Sequence, residues 1–149
     1  MTRRHTGACQ CGAVTYEALG DPIMIFACHC TICQRQSGAA FGMAVVFDGG
    51  DFTLAGKPPA HFVRPGHGRD FRCYFCPDCG TRIYHQWFTD EGDYPFLSVK
   101  PGTLDDTSWV EPGCHVWTRH AQPWMRFGAD EVVFADQPPL DQMPKFAER

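Results

Sequence analysis

The segment Phe75-Cys76-Pro77-Asp78-Cys79-Gly80-Thr81 decides how this chain is read. Asp70 to Phe75 has the aromatic alternation of a strand, and it runs directly into two cysteines separated by a turn-forming Pro-Asp pair. In such a knuckle the backbone N–H groups point at the first sulfur, and a glycine after the second cysteine lets the chain pass a metal without a Cβ clash. Toward the amino end, Cys9-Gln10-Cys11-Gly12 offers a second cysteine pair. Four thiolates around one Zn²⁺ carry a net charge of about −2 and fill the tetrahedron. Cys9, Cys11, Cys76 and Cys79 are therefore expected to form a closed, structural zinc site. Because these ligands come from distant parts of the sequence, the metal would fasten an amino-terminal strand to a hairpin formed much later.

Between these pairs lies Cys28-His29-Cys30-Thr31-Ile32-Cys33, which supplies three thiols in one short segment with no obvious fourth ligand. Three thiolates leave Zn²⁺ with a net charge of about −1 and one open position, the arrangement that catalytic zinc sites share. Water or a substrate thiol can occupy it. If Thr31 to Gln36 is helical and closed by Gly38, Cys33 falls in the first turn, where free N–H groups and the dipole favour thiolate. The competing reading is that Cys73 or a histidine completes the tetrahedron and the second zinc is structural too. Cys73 alternates with Phe71 and Phe75 and reads as a buried core thiol, as does Cys114. His29, between two ligands, is expected to point away from the metal. His115 opens the strand-like His115-Val116-Trp117 and reads equally as hydrogen-bonded structure or as a site residue.

The chain has 149 residues, a length suited to one domain that folds without a partner. Its nine cysteines are an odd count that cannot pair fully into intramolecular disulfides. Met1 to Gln10 carries basic residues with no apolar stretch behind them to act as a signal peptide, so a cytoplasmic protein with reduced, metal-binding thiols is expected. The formal net charge of −4, with no run of Lys or Arg interleaved with aromatics, argues against nucleic acid. No apolar run reaches the roughly 18 residues that a membrane span needs.

Fifteen Gly and 12 Pro cut the sequence into short pieces, and no long window sustains helical apolar periodicity, so the class is mainly β. Strands are expected at 13–17, 23–27, 41–47, 61–64, 70–75, 82–87, 96–99, 114–118 and 131–134. Several small twisted sheets suit such short strands better than one large one. One zinc domain is expected over residues 1–149, its core at about 5–135, with the Pro-rich tail 136–149 lying extended on the surface.

Taken together, these landmarks resemble the glutathione-dependent formaldehyde-activating enzymes, whose domain also occurs in a centromere protein. The resemblance rests on Gly7 to Val14 with Tyr16, on Cys28 to Arg35 with Ser37-Gly38-Ala39, on Phe75 to Thr81, and on His115-Val116-Trp117 followed by Pro123-Trp124. It implies an Mss4-like β-tent of antiparallel sheets, with a structural zinc on Cys9, Cys11, Cys76 and Cys79 and a second zinc on Cys28, Cys30 and Cys33. It also implies carbon–sulfur bond formation and cleavage between glutathione and formaldehyde, with the second zinc as the catalytic centre. Glutathione carries two carboxylates, for which Arg35, Ser37 and Arg119 are candidates by residue type, while Trp117 and Trp124 could wall the pocket. A homo-oligomer is compatible with this reading.

Two other functions compete. A non-enzymatic zinc binding module of the same fold would fill both metal sites with four protein ligands. A thiol oxidoreductase such as a methionine sulfoxide reductase would need paired C-x-x-C ligands and a separate reactive cysteine, and would leave the middle cluster unexplained. The acidic balance disfavours chromatin binding.

Overall fold

The strands β1 (Arg4–Ala8), β2 (Val14–Leu19) and β3 (Met24–Cys28) lead into one short helix, α1 (Thr31–Ser37). There follow β4 (Gly42–Asp48), β5 (Phe52–Gly56), β6 (Ala60–Gly66), β7 (Arg69–Phe75), β8 (Arg82–Thr89), β9 (Gly92–Val99) and β10 (Cys114–Val116). The structure is a computed structural model and describes residues 1–66 and 68–147. No helix among the described residues is long and apolar enough to cross a membrane.

Two sheets form, not several small ones: an antiparallel sheet in the order β1-β2-β5, and a seven-stranded sheet in the order β10-β3-β4-β9-β8-β7-β6. The expectation of purely antiparallel pairing also fails at one edge, where β10 runs parallel to β3 with Cys114 opposite Phe26 and Val116 opposite Cys28. β4 explains why the larger sheet holds together. Ala44, Val45, Val46 and Phe47 are all buried, so this strand is covered on both faces, as a continuous apolar run in a central strand requires. Val45 and Phe47 join Ile25, Val14, Tyr16, Ile83 and Val99 in one core cluster. Val46 faces the other way, into a second cluster with Met24, Val116, Met143 and the thiols of Cys28 and Cys30. Alternation along β3 repeats the division: Ile25 belongs to the first cluster, Met24 and Cys28 to the second.

β1 and β5 were not expected from the sequence, because Arg4-His5-Thr6-Gly7-Ala8 lacks β-branched or aromatic density and β5 is mostly exposed. Their partner β2 specifies them: buried Val14, Tyr16 and Ala18 alternate with outward Thr15 and Glu17, and neighbours on both sides complete its ladder. Gly7 lies opposite Tyr16, and a Cβ there would overlap the Tyr16 ring, whose hydroxyl pairs with that of Thr103 at 2.8 Å.

Two carboxy-terminal expectations are corrected. Residues 131–134 do not form a strand; Val133 makes only an isolated bridge to His115, and Val132 and Val133 remain exposed. The tail, largely exposed over 136–147 and outside the described residues at 148–149, is anchored at several points and does not simply lie on the surface. Pro138 and Met143 are buried, Leu140 packs on the second cluster, and the Phe146 N–H donates to the Ile23 carbonyl at 2.9 Å. Leu140, Met143 and Phe146 recur every third residue, which gives the prolines an apolar set to hold in place.

Candidate metal centres and the adjoining cavity

The first centre is assembled by two turns. After β1, the Gly12 N–H donates to the Cys9 carbonyl at 3.0 Å, and the Val14 N–H points at the Cys9 sulfur at 3.3 Å. After β7, the Gly80 N–H closes the second turn on the Cys76 carbonyl at 2.8 Å, with Gly80 at a φ of 76° that favours glycine. Thr81 stitches the turns together: its hydroxyl accepts the Gln10 N–H at 3.1 Å and lies 3.2 Å from the Cys79 sulfur. That hydroxyl, with backbone N–H groups, holds the Cys79 thiol down to about 5.

The four sulfurs of Cys9, Cys11, Cys76 and Cys79 lie within 4.8 Å of one another, with Cys9–Cys11 at 3.6 Å and Cys11–Cys76 at 3.8 Å. Zinc–sulfur bonds of about 2.3 Å at tetrahedral angles put sulfurs about 3.8 Å apart, so the set fits a closed four-thiolate metal site.

The second centre spans the end of β3 and the start of α1. Cys30 is the N-cap of the helix and its sulfur accepts the Cys33 N–H at 3.3 Å, so the first-turn N–H expected to favour thiolate serves Cys30. Gly38, at a φ of 62°, terminates the helix. The sulfurs of Cys28, Cys30 and Cys33 also lie within 4.8 Å of one another, and no fourth ligand atom joins the group among the described residues. The neighbouring thiols of Cys30 and Cys33, then burial, push the Cys28 thiol far up. A bound cation resolves this, because it lets adjacent sulfurs ionise together. Cys73 stays out of the cluster, fully buried on β7, and Cys114 is a core thiol pushed up to about 11 by burial.

His29 turns away from the sulfurs and packs its ring on Phe41 and Phe127, and its Nε2 meets His115 Nδ1 at 3.0 Å. His115 Nε2 lies 3.4 Å from Glu131 Oε1. His115 thus acts as a structural partner of the ligand loop. Gln34, which drew no attention in the sequence, locks the same loop: its Nε2 donates to the carbonyls of His29 at 2.7 Å and His120 at 2.8 Å, and its Oε1 accepts from Gln122 at 2.7 Å.

A cavity of about 190 Å³ opens on Cys28, Cys30 and Cys33. Arg35, Ser37, Trp117 and Arg119 do not line it. Arg35 is exposed on α1, and the Ser37 hydroxyl donates to the Cys33 carbonyl at 2.8 Å at the end of the helix. Arg119 pairs with Asp136 at 2.5 Å, and Trp117, at a left-handed φ of 57°, stacks on His120. Trp124 is exposed.

The cavity instead draws Arg64 from β6, Arg69 from β7, His85 from β8 and Lys100 just after β9. Burial holds the Lys100 ammonium down to about 8 and, together with the charges of Lys100, Arg64 and Arg82, holds His85 well below its ordinary value. The sequence carried no local signal for these four, since only the sheet order gathers them. The tail supplies the remaining wall through Pro138, Leu140 and Met143.

Comparison with known proteins agrees with this layout. The sequence model of the glutathione-dependent formaldehyde-activating enzyme family matches residues 4–120, a span that includes every cysteine of both clusters. A crystal structure of a Rhodobacter sphaeroides protein is similar in fold, with a TM-score of 0.50 at 19% identity over 87% of this chain and 98% of that one.

Proposed function

The chain belongs to the family of glutathione-dependent formaldehyde-activating enzymes, and from that premise we propose that it is a zinc-dependent carbon–sulfur lyase or synthase. In this reading it joins a thiol, glutathione in the family's description, to formaldehyde or a related small electrophile at the Cys28–Cys30–Cys33 centre. One observation carries the proposal: three converging thiols without a fourth protein ligand face a cavity instead of packed core. Cys9, Cys11, Cys76 and Cys79 hold the structural zinc of a single Mss4-like β-tent domain.

Zinc held by Cys28, Cys30 and Cys33 would supply the Lewis acidity that favours the substrate thiolate at neutral pH. The substrate sulfur forms a bond to the carbonyl carbon, the C=O π pair moves to oxygen, and the proton given up by the thiol ends on that oxygen. The reverse reaction breaks that carbon–sulfur bond and returns thiol and carbonyl. Lys100 lines the cavity with Cys28 and Cys33, and in this reading its ammonium stabilises the negative charge growing on that oxygen. The apolar wall keeps bulk water from the reacting carbon.

The second reading is a non-enzymatic module with two structural zincs. It is favoured by the placement of Arg35, Ser37 and Arg119 outside the cavity, Arg35 exposed, Ser37 bonded to the Cys33 carbonyl and Arg119 paired with Asp136. Cobalt substitution separates the two. In protein loaded with two cobalt ions per chain, glutathione is expected to change the sulfur-to-metal bands of one site only. Bands that ignore every thiol would leave the binding module as the function.

A further inference from the structure

The cavity has a charge imbalance that three thiols and a divalent metal do not account for. Arg64, Arg69 and Lys100 line it, and no aspartate or glutamate does. Neither these three nor Arg82 forms an ion pair with a carboxylate among the described residues. The chain as a whole has a net charge of −4, so composition does not explain the excess. Lys100 lines the cavity together with Cys28, Cys30 and Cys33 and is the natural counter-charge to a three-thiolate centre of net charge about −1. Arg64 and Arg69 are then left over, each lying over a ring of the same wall, Arg64 on Phe71 and Arg69 on Trp87.

Their nitrogens show what is missing. Arg64 Nε and His85 Nδ1 are buried without a hydrogen-bond partner among the described residues, and both residues line the cavity, His85 being only 9% exposed. Buried donors are almost always paired, and a guanidinium fork matches a carboxylate. The rest of the wall is mostly apolar, with Phe26, Val46, Phe71, Trp87 and Phe96, and its remaining polar side chains, Gln86, Ser98 and Gln137, are uncharged. Nothing acidic is present to receive the ammonium group of a peptide. At about 190 Å³ the space is also below the roughly 300 Å³ at which sites for drug-sized ligands begin.

We propose that this cavity binds a compact carboxylate with an apolar, arylalkyl-like body, the carboxylate held by Arg64 and His85 and the body packed between Phe26, Trp87 and Phe96. This rests on the reading of Cys28, Cys30 and Cys33 as a working thiol centre, and it makes a small thiol acid, rather than a tripeptide, the molecule that fills the cavity.

The test is calorimetric titration of zinc-loaded protein with probes that lack a free thiol: 3-phenylpropanoate, 3-phenylpropan-1-ol, 3-phenylpropylamine and S-methylglutathione. The acid is expected to bind at least tenfold more tightly than the alcohol, and the amine to give no heat. Arg64→Gln is expected to abolish the preference for acid over alcohol while leaving the zinc content at two per chain. Equal affinity for acid and alcohol, an unchanged preference in R64Q, or no binding of any probe at millimolar concentration overturns the proposal. If R64Q does not fold, the acid-to-alcohol ratio of the unmodified protein decides by itself. S-methylglutathione binding more tightly than 3-phenylpropanoate overturns the compact class in favour of the tripeptide. Because no probe presents a thiol, failure here leaves the cobalt test of the carbon–sulfur reading intact. Failure of that test likewise leaves carboxylate binding measurable.

Discussion

His29 Nε2 and His115 Nδ1 meet at 3.0 Å, joining the residue between Cys28 and Cys30 to the parallel edge strand β10. The contact is buried, and it gives the His29 ring its one hydrogen-bond partner among the described residues, while His115 also faces Glu131. His115→Phe keeps the aromatic packing on Phe127 but deprives His29 of its partner. The expected loss is about 1–3 kcal/mol of stability, the cost of leaving a buried polar group unpaired. Urea unfolding of the variant measures it, and an unchanged midpoint would show that His29 finds another partner.

The two cysteine clusters should respond differently to substitution. Cys79→Ser breaks the closed site joining the β1–β2 turn to the β7–β8 turn, and removal of a structural zinc costs on the order of 10 kcal/mol in the limiting case. No folded protein is expected. Cys30→Ser alters only the three-thiol centre and is expected to keep the circular dichroism of the fold while losing the thiol response of the cobalt spectrum. If C30S unfolds as fully as C79S, the middle cluster is structural.

Acid should destabilise the fold through His85. Its folded value is depressed by burial, so below about 6.5 the unfolded chain takes up a proton that the folded chain refuses. Stability present above that pH is lost as the pH falls, by at most about 1.4 kcal/mol per unit for one such group. His85→Gln is expected to flatten this slope when both proteins are unfolded in urea between pH 7 and pH 5 at matched zinc content, with pH values about those of the histidine window. Parallel slopes would assign the acid lability to other histidines or to metal release.

The tail is the fourth test. Met143 is 3% exposed within the second core cluster, so Met143→Ala is expected to cost about 2–5 kcal/mol. Because the same residue lines the cavity, the variant should also weaken binding of 3-phenylpropanoate. A tail that only covers the surface would make this substitution nearly neutral.

What the sequence made legible was local. The cysteine spacings sort the thiols into the two clusters that form, because neighbouring cysteines share a turn, and β2, β3, β4, β7 and β8 announce themselves by burial patterns that their own residues carry. β1 and β5 stayed hidden because their stability comes from Tyr16 and its neighbours on β2, not from their own composition. The cavity was hidden for a related reason. Arg64 stands opposite Phe71, and Cys73 opposite His85, only through the register of β6 on β7 and β7 on β8. Arg35 and Arg119 were the nearer choices in sequence, but a short helix exposes one and Asp136 engages the other. In the tail, prolines suggested an extended surface segment, whereas the spacing of Leu140, Met143 and Phe146 was the signal that mattered.

The double-sided burial of β4 gives the molecule one shared partition between its two cores. Opening either chamber alone leaves that partition supported from the opposite side, so its amides should exchange with deuterium only when the entire protein opens. Strands β1 and β10, each at a sheet edge, would exchange through smaller excursions. In a stepwise loss of metal, β4 is accordingly the last backbone to become labelled, and the moment of its labelling marks the end of the folded state.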